Sequence, residues 1–347
     1  MILSLLVPIL FIFTNSHPNC LNYEKTGVDW YIILLYRKKY GDLSYYSYID
    51  SNKKKIVNEL FDKNTFAPFY LNDFIKKEID TVHYINYSSN SSKGILISDS
   101  EFGVFLSHTL DNFPFGEESD LSAFVISDYI VTQFLCITLN KDGTNDLARA
   151  IFLTNPEIIS SHKASNSNLI PDSFLDKLLN KEKSESYSKE LITHIRSFPN
   201  EYLFTVFTKT ENSKEHPLEI ALRNYYQSGF FVKSSSSDIK YSDCSYGSAE
   251  LRNVNTISYY GQVYYMLTSS DEDKTKWLVS PEKDIVCIGD LERNEKVLNN
   301  TGIEFCFFSS DISSFLKNSI SSYVNCDGQI EMNINYEYIE EDEEGFD

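Results

Sequence analysis

The chain of 347 residues carries 42% hydrophobic and 14% aromatic side chains, enough to bury a large core and too much for a disordered polymer. Its formal net charge of −19 excludes a general nucleic-acid coat protein, which presents a basic face to neutralise phosphates, and leaves only local patches to differ.

Met1 to Phe13 is almost wholly apolar and leads into polar Thr14-Asn15-Ser16-His17-Pro18. That is the pattern of a secretory signal peptide over residues 1–17, cleaved near Ser16 to Cys20, though without the usual basic n-region. The competing reading is an uncleaved membrane anchor, but the apolar run is too short to span a bilayer comfortably and no later stretch approaches the needed length, so a secreted, extracellular protein without membrane contact is expected. Val28 to Tyr36 is apolar, β-branched and aromatic with no helical stripe, and reads as a buried central strand. Asp29 beside Trp30 reads as a satisfied structural carboxylate. Tyr45 to Asp50 reads as a second strand, Ser51 to Lys55 as a basic turn, and Val57 to Phe61 as the start of a helix.

Two short apolar runs, Gly94 to Ile97 and Gly103 to Leu106, flank polar Ser98-Asp99-Ser100-Glu101, the pattern of a β-hairpin with a longer loop. Antiparallel pairing would bring Lys93, at the start of the first strand, and His108, past the end of the second, to the same end of the hairpin, where phosphate chemistry could sit. Phe134 to Leu139 is another buried strand, followed by a turn at Asp142-Gly143 and a helix over Asp146 to Phe152. From Ser161 to Ser188 the chain is rich in Ser, Asn and Lys around one amphipathic piece, Ser173 to Leu179, which marks surface linker between two halves. Strands follow at Tyr202 to Thr208, Phe230 to Lys233 and Gln262 to Leu267. Then Lys274-Thr275-Lys276-Trp277-Leu278-Val279 repeats the order of Ser91-Ser92-Lys93-Gly94-Ile95-Leu96: a polar residue, a lysine, a strand. This faint repeat suggests two related halves that each bring a strand-edge lysine to a shared cleft. An amphipathic helix over Ser310 to Val324 and a solvated acidic tail, Glu337 to Asp347, close the chain.

Cys20, Cys136, Cys244, Cys287, Cys306 and Cys326 are widely spaced with no CxxC pair, which disfavours a metal site and suits three disulfides in an oxidising compartment, with fifteen pairings open. Sequons at Asn86, Asn90 and Asn299 agree with export and predict glycans on surface loops. His83, His162, His194 and His216 lack partners at ligand spacing and read as surface histidines.

The segments GVDWYIILLY, SKGILISDSEFGVFLSHTLDNFP, QFLCITL, DKTKWLVSP and VCIGDLERN, in this order and at these intervals, resemble the deoxyribonuclease II family over nearly the whole chain, and within it the secreted deoxyribonuclease II-like glycoproteins of parasitic nematodes. The resemblance implies an α+β fold of two pseudo-symmetric phospholipase D-like halves, each a mixed β-sheet flanked by helices. The corresponding boundaries are 18–165 for the first half, 166–200 for the linker, 201–335 for the second half and 336–347 for the tail. It also implies one metal-independent site with no cofactor, built from a His-x-Lys element in each half. One histidine attacks phosphorus, the other protonates the leaving oxygen, and the lysines stabilise the phosphoryl oxygens. Lys93 and Lys276 match the two lysines and His108 a further histidine, while the cysteines would pair as Cys20 with Cys136, Cys244 with Cys326 and Cys287 with Cys306.

The departures set the functional expectation. Ser91 and Lys274 occupy the positions of the two histidines. Serine is no acid near neutrality and has no base in its immediate sequence, and a charged lysine is a poor nucleophile. A glycan on Asn90 would hang over the same cleft. The expectation is therefore a pseudoenzyme that binds or interacts, with DNA or host molecules as candidate partners. The alternative is a metal-independent acid endodeoxyribonuclease that works with His108, Lys93 and Lys276.

Overall fold

A strand that is apolar on both faces must be covered on both faces, and Trp30 to Leu35 is buried throughout. Trp30, Ile32 and Leu34 point into one apolar cluster, while Tyr31, Ile33 and Leu35 point into another. These clusters are the two sides of the first of two large sheets. The structure, a computed structural model, describes residues 17–37, 44–52, 56–62, 66–88, 93–110, 113–116, 131–165, 169–184, 191–210, 218–234, 242–245, 249–257, 273–289 and 301–333.

In chain order, β1 (Cys20–Leu21) and β2 (Gly27–Val28) form a small antiparallel pair. The first large sheet follows with β3 (Trp30–Arg37), β4 (Ser44–Asp50), β5 (Val57–Leu60), β6 (His83–Ser88), β7 (Lys93–Ser98), β8 (Phe102–His108), β9 (Thr132–Asn140) and β10 (Glu157–His162). Its spatial order is β10-β6-β7-β8-β9-β3-β4-β5, and every neighbouring pair is antiparallel. The second comprises β11 (Leu191–Arg196), β12 (Leu203–Lys209), β13 (Phe230–Lys233), β14 (Leu251–Ile257), β15 (Trp277–Val279), β16 (Ile285–Gly289), β17 (Gly302–Phe308), β18 (Ile320–Val324) and β19 (Ile330–Met332). Its order is β11-β12-β17-β16-β15-β13-β14-β18-β19, with one parallel pair, β13 with β14. The helices are α1 (Tyr70–Glu78), α2 (Lys141–Leu153), α3 (Phe174–Leu179), α4 (Leu218–Tyr226) and α5 (Ser310–Ser319). This α+β architecture, two large sheets with few helices, agrees with a deoxyribonuclease II type of fold. None of the described helices is long and apolar enough to cross a membrane.

The two sheets share one core. Phe105 of β8 lies 5.2 Å from Phe305 of β17, and Trp30 lies 5.8 Å from Phe307, ring centre to ring centre. A second link is polar. Asp29, 1% exposed, accepts from Ser197 Oγ and the Asn200 amide, both at 2.8 Å, and from Asn200 Nδ2 at 2.6 Å. It is a satisfied structural carboxylate that ties the start of β3 to the β11–β12 turn.

Several local expectations change. Val57–Leu60 is a strand, paired with β4 from Tyr45↔Leu60 to Tyr48↔Val57, because a sheet edge was open to it. Asp142-Gly143 lies in the first turn of α2, whose start is fixed by the Asn140 side chain accepting from Gly143 N at 2.8 Å. α5 stops at Ser319, and Ile320–Val324 pairs with β14 instead. α3 and β11 fall within the stretch expected as linker, and Leu175, Leu178 and Leu179 bury the apolar face of α3. Gln262 to Leu267, His216 and the acidic tail lie outside the described residues.

Three disulfides close, Cys20–Cys136, Cys244–Cys326 and Cys287–Cys306, with no free cysteine. The only group of potential metal ligands among the described residues is Cys244, Glu250 and Cys326. Both of its sulfurs are already spent in a disulfide, so it offers no metal centre.

Candidate functional site

The hairpin of β7 and β8 places its two chemical groups as its pattern requires. Registered pairs run from Ser98↔Gly103 to Gly94↔Ser107, and one step further sets Lys93 opposite His108. The strands approach closely here, since a Cβ on Gly94 would stand 2.9 Å from the Phe105 ring and 3.1 Å from the Leu106 carbonyl. Glycine after Lys93 is thus a packing requirement. Lys93 is half-buried. His108 is 4% exposed, pairs with Phe134 of β9 and lies 5.0 Å from the Phe113 ring. Ser91 and Asn90 lie outside the described residues.

The second lysine element is brought to the same end of the molecule by β9. Asp273 forms a parallel bridge with Val131, and Lys274 N donates to Val131 O at 2.8 Å. Gln133, 2% exposed, then grips the next turn of chain. Its Oε1 accepts from Lys276 N at 2.9 Å, and its Nε2 donates to Lys276 O at 2.8 Å and to Gly289 O at 2.6 Å. Since Phe134, next to Gln133, pairs with His108, both lysine elements adjoin one short stretch of β9. Lys276 is 6% exposed and Lys274 half-buried.

Asp273 is itself held. Its Oδ1 accepts from Thr275 N at 2.9 Å and Thr275 Oγ1 at 2.6 Å, and Lys233 Nζ stands 3.0 Å from Oδ2 as an ion pair. Glu304, 1% exposed, is a second buried carboxylate nearby. It lies opposite Gly289 on β16, and a Cβ on that glycine would collide with its carboxylate. Sequence reading passed over Gln133, Lys233, Asp273 and Glu304. For Glu304 a signal existed, a lone acid inside the apolar run Gly302–Phe308.

Two other sequence readings are corrected. Asn86 sits in β6 between β10 and β7, 7% exposed, rather than in a surface loop, so the folded chain has no room for a glycan there. His83 is 1% exposed rather than on the surface. Its Nδ1 accepts from Ala164 N at 3.1 Å, and burial, with the charges of Lys163 and His162 behind it, lowers its pKa to about 4.

The family model for deoxyribonuclease II matches residues 19–326. The chain belongs to the deoxyribonuclease II family. Similar proteins include deoxyribonuclease-2-alpha of Rattus norvegicus, 23% identical over 332 residues, which spans 87% of this chain and 93% of that protein. Cell death-related nuclease 6 of Caenorhabditis elegans is 23% identical over 367 residues, 93% of each chain. Deoxyribonuclease-2-alpha of Sus scrofa is 25% identical over 229 residues, 63% of this chain and 61% of its own. The family match runs from β1 to β18 and so takes in most of both sheets.

Proposed function

We propose that this family member is a secreted glycoprotein that has kept the deoxyribonuclease scaffold and lost most or all of its hydrolytic power, and that its lysine-lined end binds phosphodiester-bearing partners, DNA or a host molecule. One observation carries the reading: Ser91 and Lys274 stand where the family pattern has its two histidines. Hydrolysis through a phosphohistidine needs one imidazole to bond to phosphorus and another to give a proton to the leaving oxygen. Neither position keeps an imidazole: a serine with no base in its immediate sequence is a weak nucleophile, and a lysine, though a proton donor when charged, is then a poor nucleophile. Loss of groups that act as a unit typically costs orders of magnitude in rate.

The remaining lysines suit binding. Lys93, Lys274 and Lys276 supply localised positive charge on a chain whose formal net charge is −19, which supports a phosphate clamp. The three disulfides and the apolar leader support export, and Asn90 and Asn299 remain the sequons proposed to carry glycans. That the similar proteins are named as nucleases makes DNA the first ligand to try.

The rival reading gives His108 the chemistry, with Lys93 and Lys276 holding phosphate in an active acid endodeoxyribonuclease. Its 4% exposure between the Phe113 and Phe134 rings favours a structural imidazole over one that reaches phosphorus. The combined variant Ser91→His with Lys274→His tests the proposal. Gain of chelator-resistant plasmid nicking at acid pH is the expected result, because the scaffold is intact and only the imidazoles are absent. A folded double variant with no gain would contradict it.

A further inference from the structure

Gln133 lies outside the His-x-Lys elements, yet it is the side chain on which the second of them hangs. All three of its bonds cross from the first sheet to the second, 143 and 156 residues away in sequence. Its carboxamide is matched to both main-chain groups of one residue, accepting from Lys276 N and donating to Lys276 O, and the second Nε2 hydrogen caps Gly289 O. With only 2% of the Gln133 surface exposed, water cannot substitute for any of these bonds. We propose that Gln133 is a positioning residue: it fixes the main chain of Lys276, and so its ammonium, relative to the Lys93–His108 end of the first sheet. The functional consequence rests on the reading of Lys276 as a phosphate-binding cation; the geometric claim does not.

Glutamine is the one side chain of this length that donates and accepts together. Gln133→Glu keeps the shape but presents two oxygens, so at neutral pH it accepts from Lys276 N and repels the two carbonyls. Gln133→Met keeps the volume and offers no bond. Lys276 moves in either variant.

The experiment has two arms, both on the full secreted chain. In the first, lysines are acetylated under limiting reagent and read by peptide mass spectrometry. In a folded variant, Lys276 should react at least about tenfold faster than in the wild type, as local opening exposes it, while Lys93 and the exposed Lys163 are unchanged. An unchanged Lys276 rate overturns the proposal. Should neither variant fold, amide hydrogen exchange in the wild type decides, since Lys276 N–H must be as protected as the strand amides of β16, and rapid exchange there overturns it.

The second arm measures a labelled single-stranded oligonucleotide against salt. Lys276→Met and Gln133→Glu should each lower the slope of log affinity against log salt by about 0.7, one phosphate contact, and the double variant no further. Additive losses would show that Gln133 does not act through Lys276. A wild type that binds no oligonucleotide would sink the phosphate-clamp reading, with the first arm still deciding the position of Lys276.

Discussion

At the scale of single residues, the buried titrating group with the clearest consequence is His83. Its folded-state pKa, about 4, lies below the ordinary histidine value of 6.5, so the unfolded chain takes up the proton first. The stability this site contributes is fully present above pH 6.5 and drains as the pH falls towards 4. At 1.36 kcal/mol per unit the loss reaches about 3 kcal/mol. Urea denaturation at pH 7 and pH 4.5 should show it, and His83→Gln, which keeps an acceptor for Ala164 N but cannot titrate, should flatten the difference. Asp29 is buried as an acceptor for three donors. Asp29→Ala leaves those donors unpaired in the interior and should lower stability by about 3 kcal/mol, measured by the urea midpoint.

Between elements, the hairpin of β7 and β8 matters most, because its register, continued one step, sets Lys93 opposite His108. Gly94→Val would drive two methyl groups into the Phe105 ring and the Leu106 backbone. Phe105→Ala would open a cavity where the two sheets meet and should cost about 3 to 5 kcal/mol, read from the thermal midpoint. This hairpin was legible in the sequence, as were the strands at Val28 to Tyr36, Phe134 to Leu139 and Tyr202 to Thr208, because an apolar run between polar turns has few other ways to be buried. Val57–Leu60 was not legible. It is short, and only the open edge of β4 makes it a strand. Asn86 misled because a sequon carries no information on burial, while Tyr84-Ile85-Asn86-Tyr87 mixes polar and apolar residues as a loop does. The lysines proposed for the site stand out through the repeated order of elements. Gln133, one amide near the start of a long apolar strand, gives no such sign, since its side-chain bonds reach across a gap of 143 residues.

Over the whole molecule, the disulfides and the shared core preserve the scaffold whatever the state of its chemistry. Cys20–Cys136 closes a sequence separation of 116 residues, and replacing both cysteines with serine should lower stability by about 4 kcal/mol, more than the loss of Cys287–Cys306, which closes only 19. In the proposed reading this architecture is kept while Ser91 and Lys274 stand where the family pattern has histidines, so the chain is a disarmed nuclease whose lysines bind phosphate. Plasmid nicking by the purified secreted protein, with chelator present from pH 4 to pH 7 and a His108→Ala control, tests this most directly. No nicking above background is expected at any pH in either protein. Nicking by the wild type that disappears in His108→Ala would contradict it and make His108 the catalytic centre.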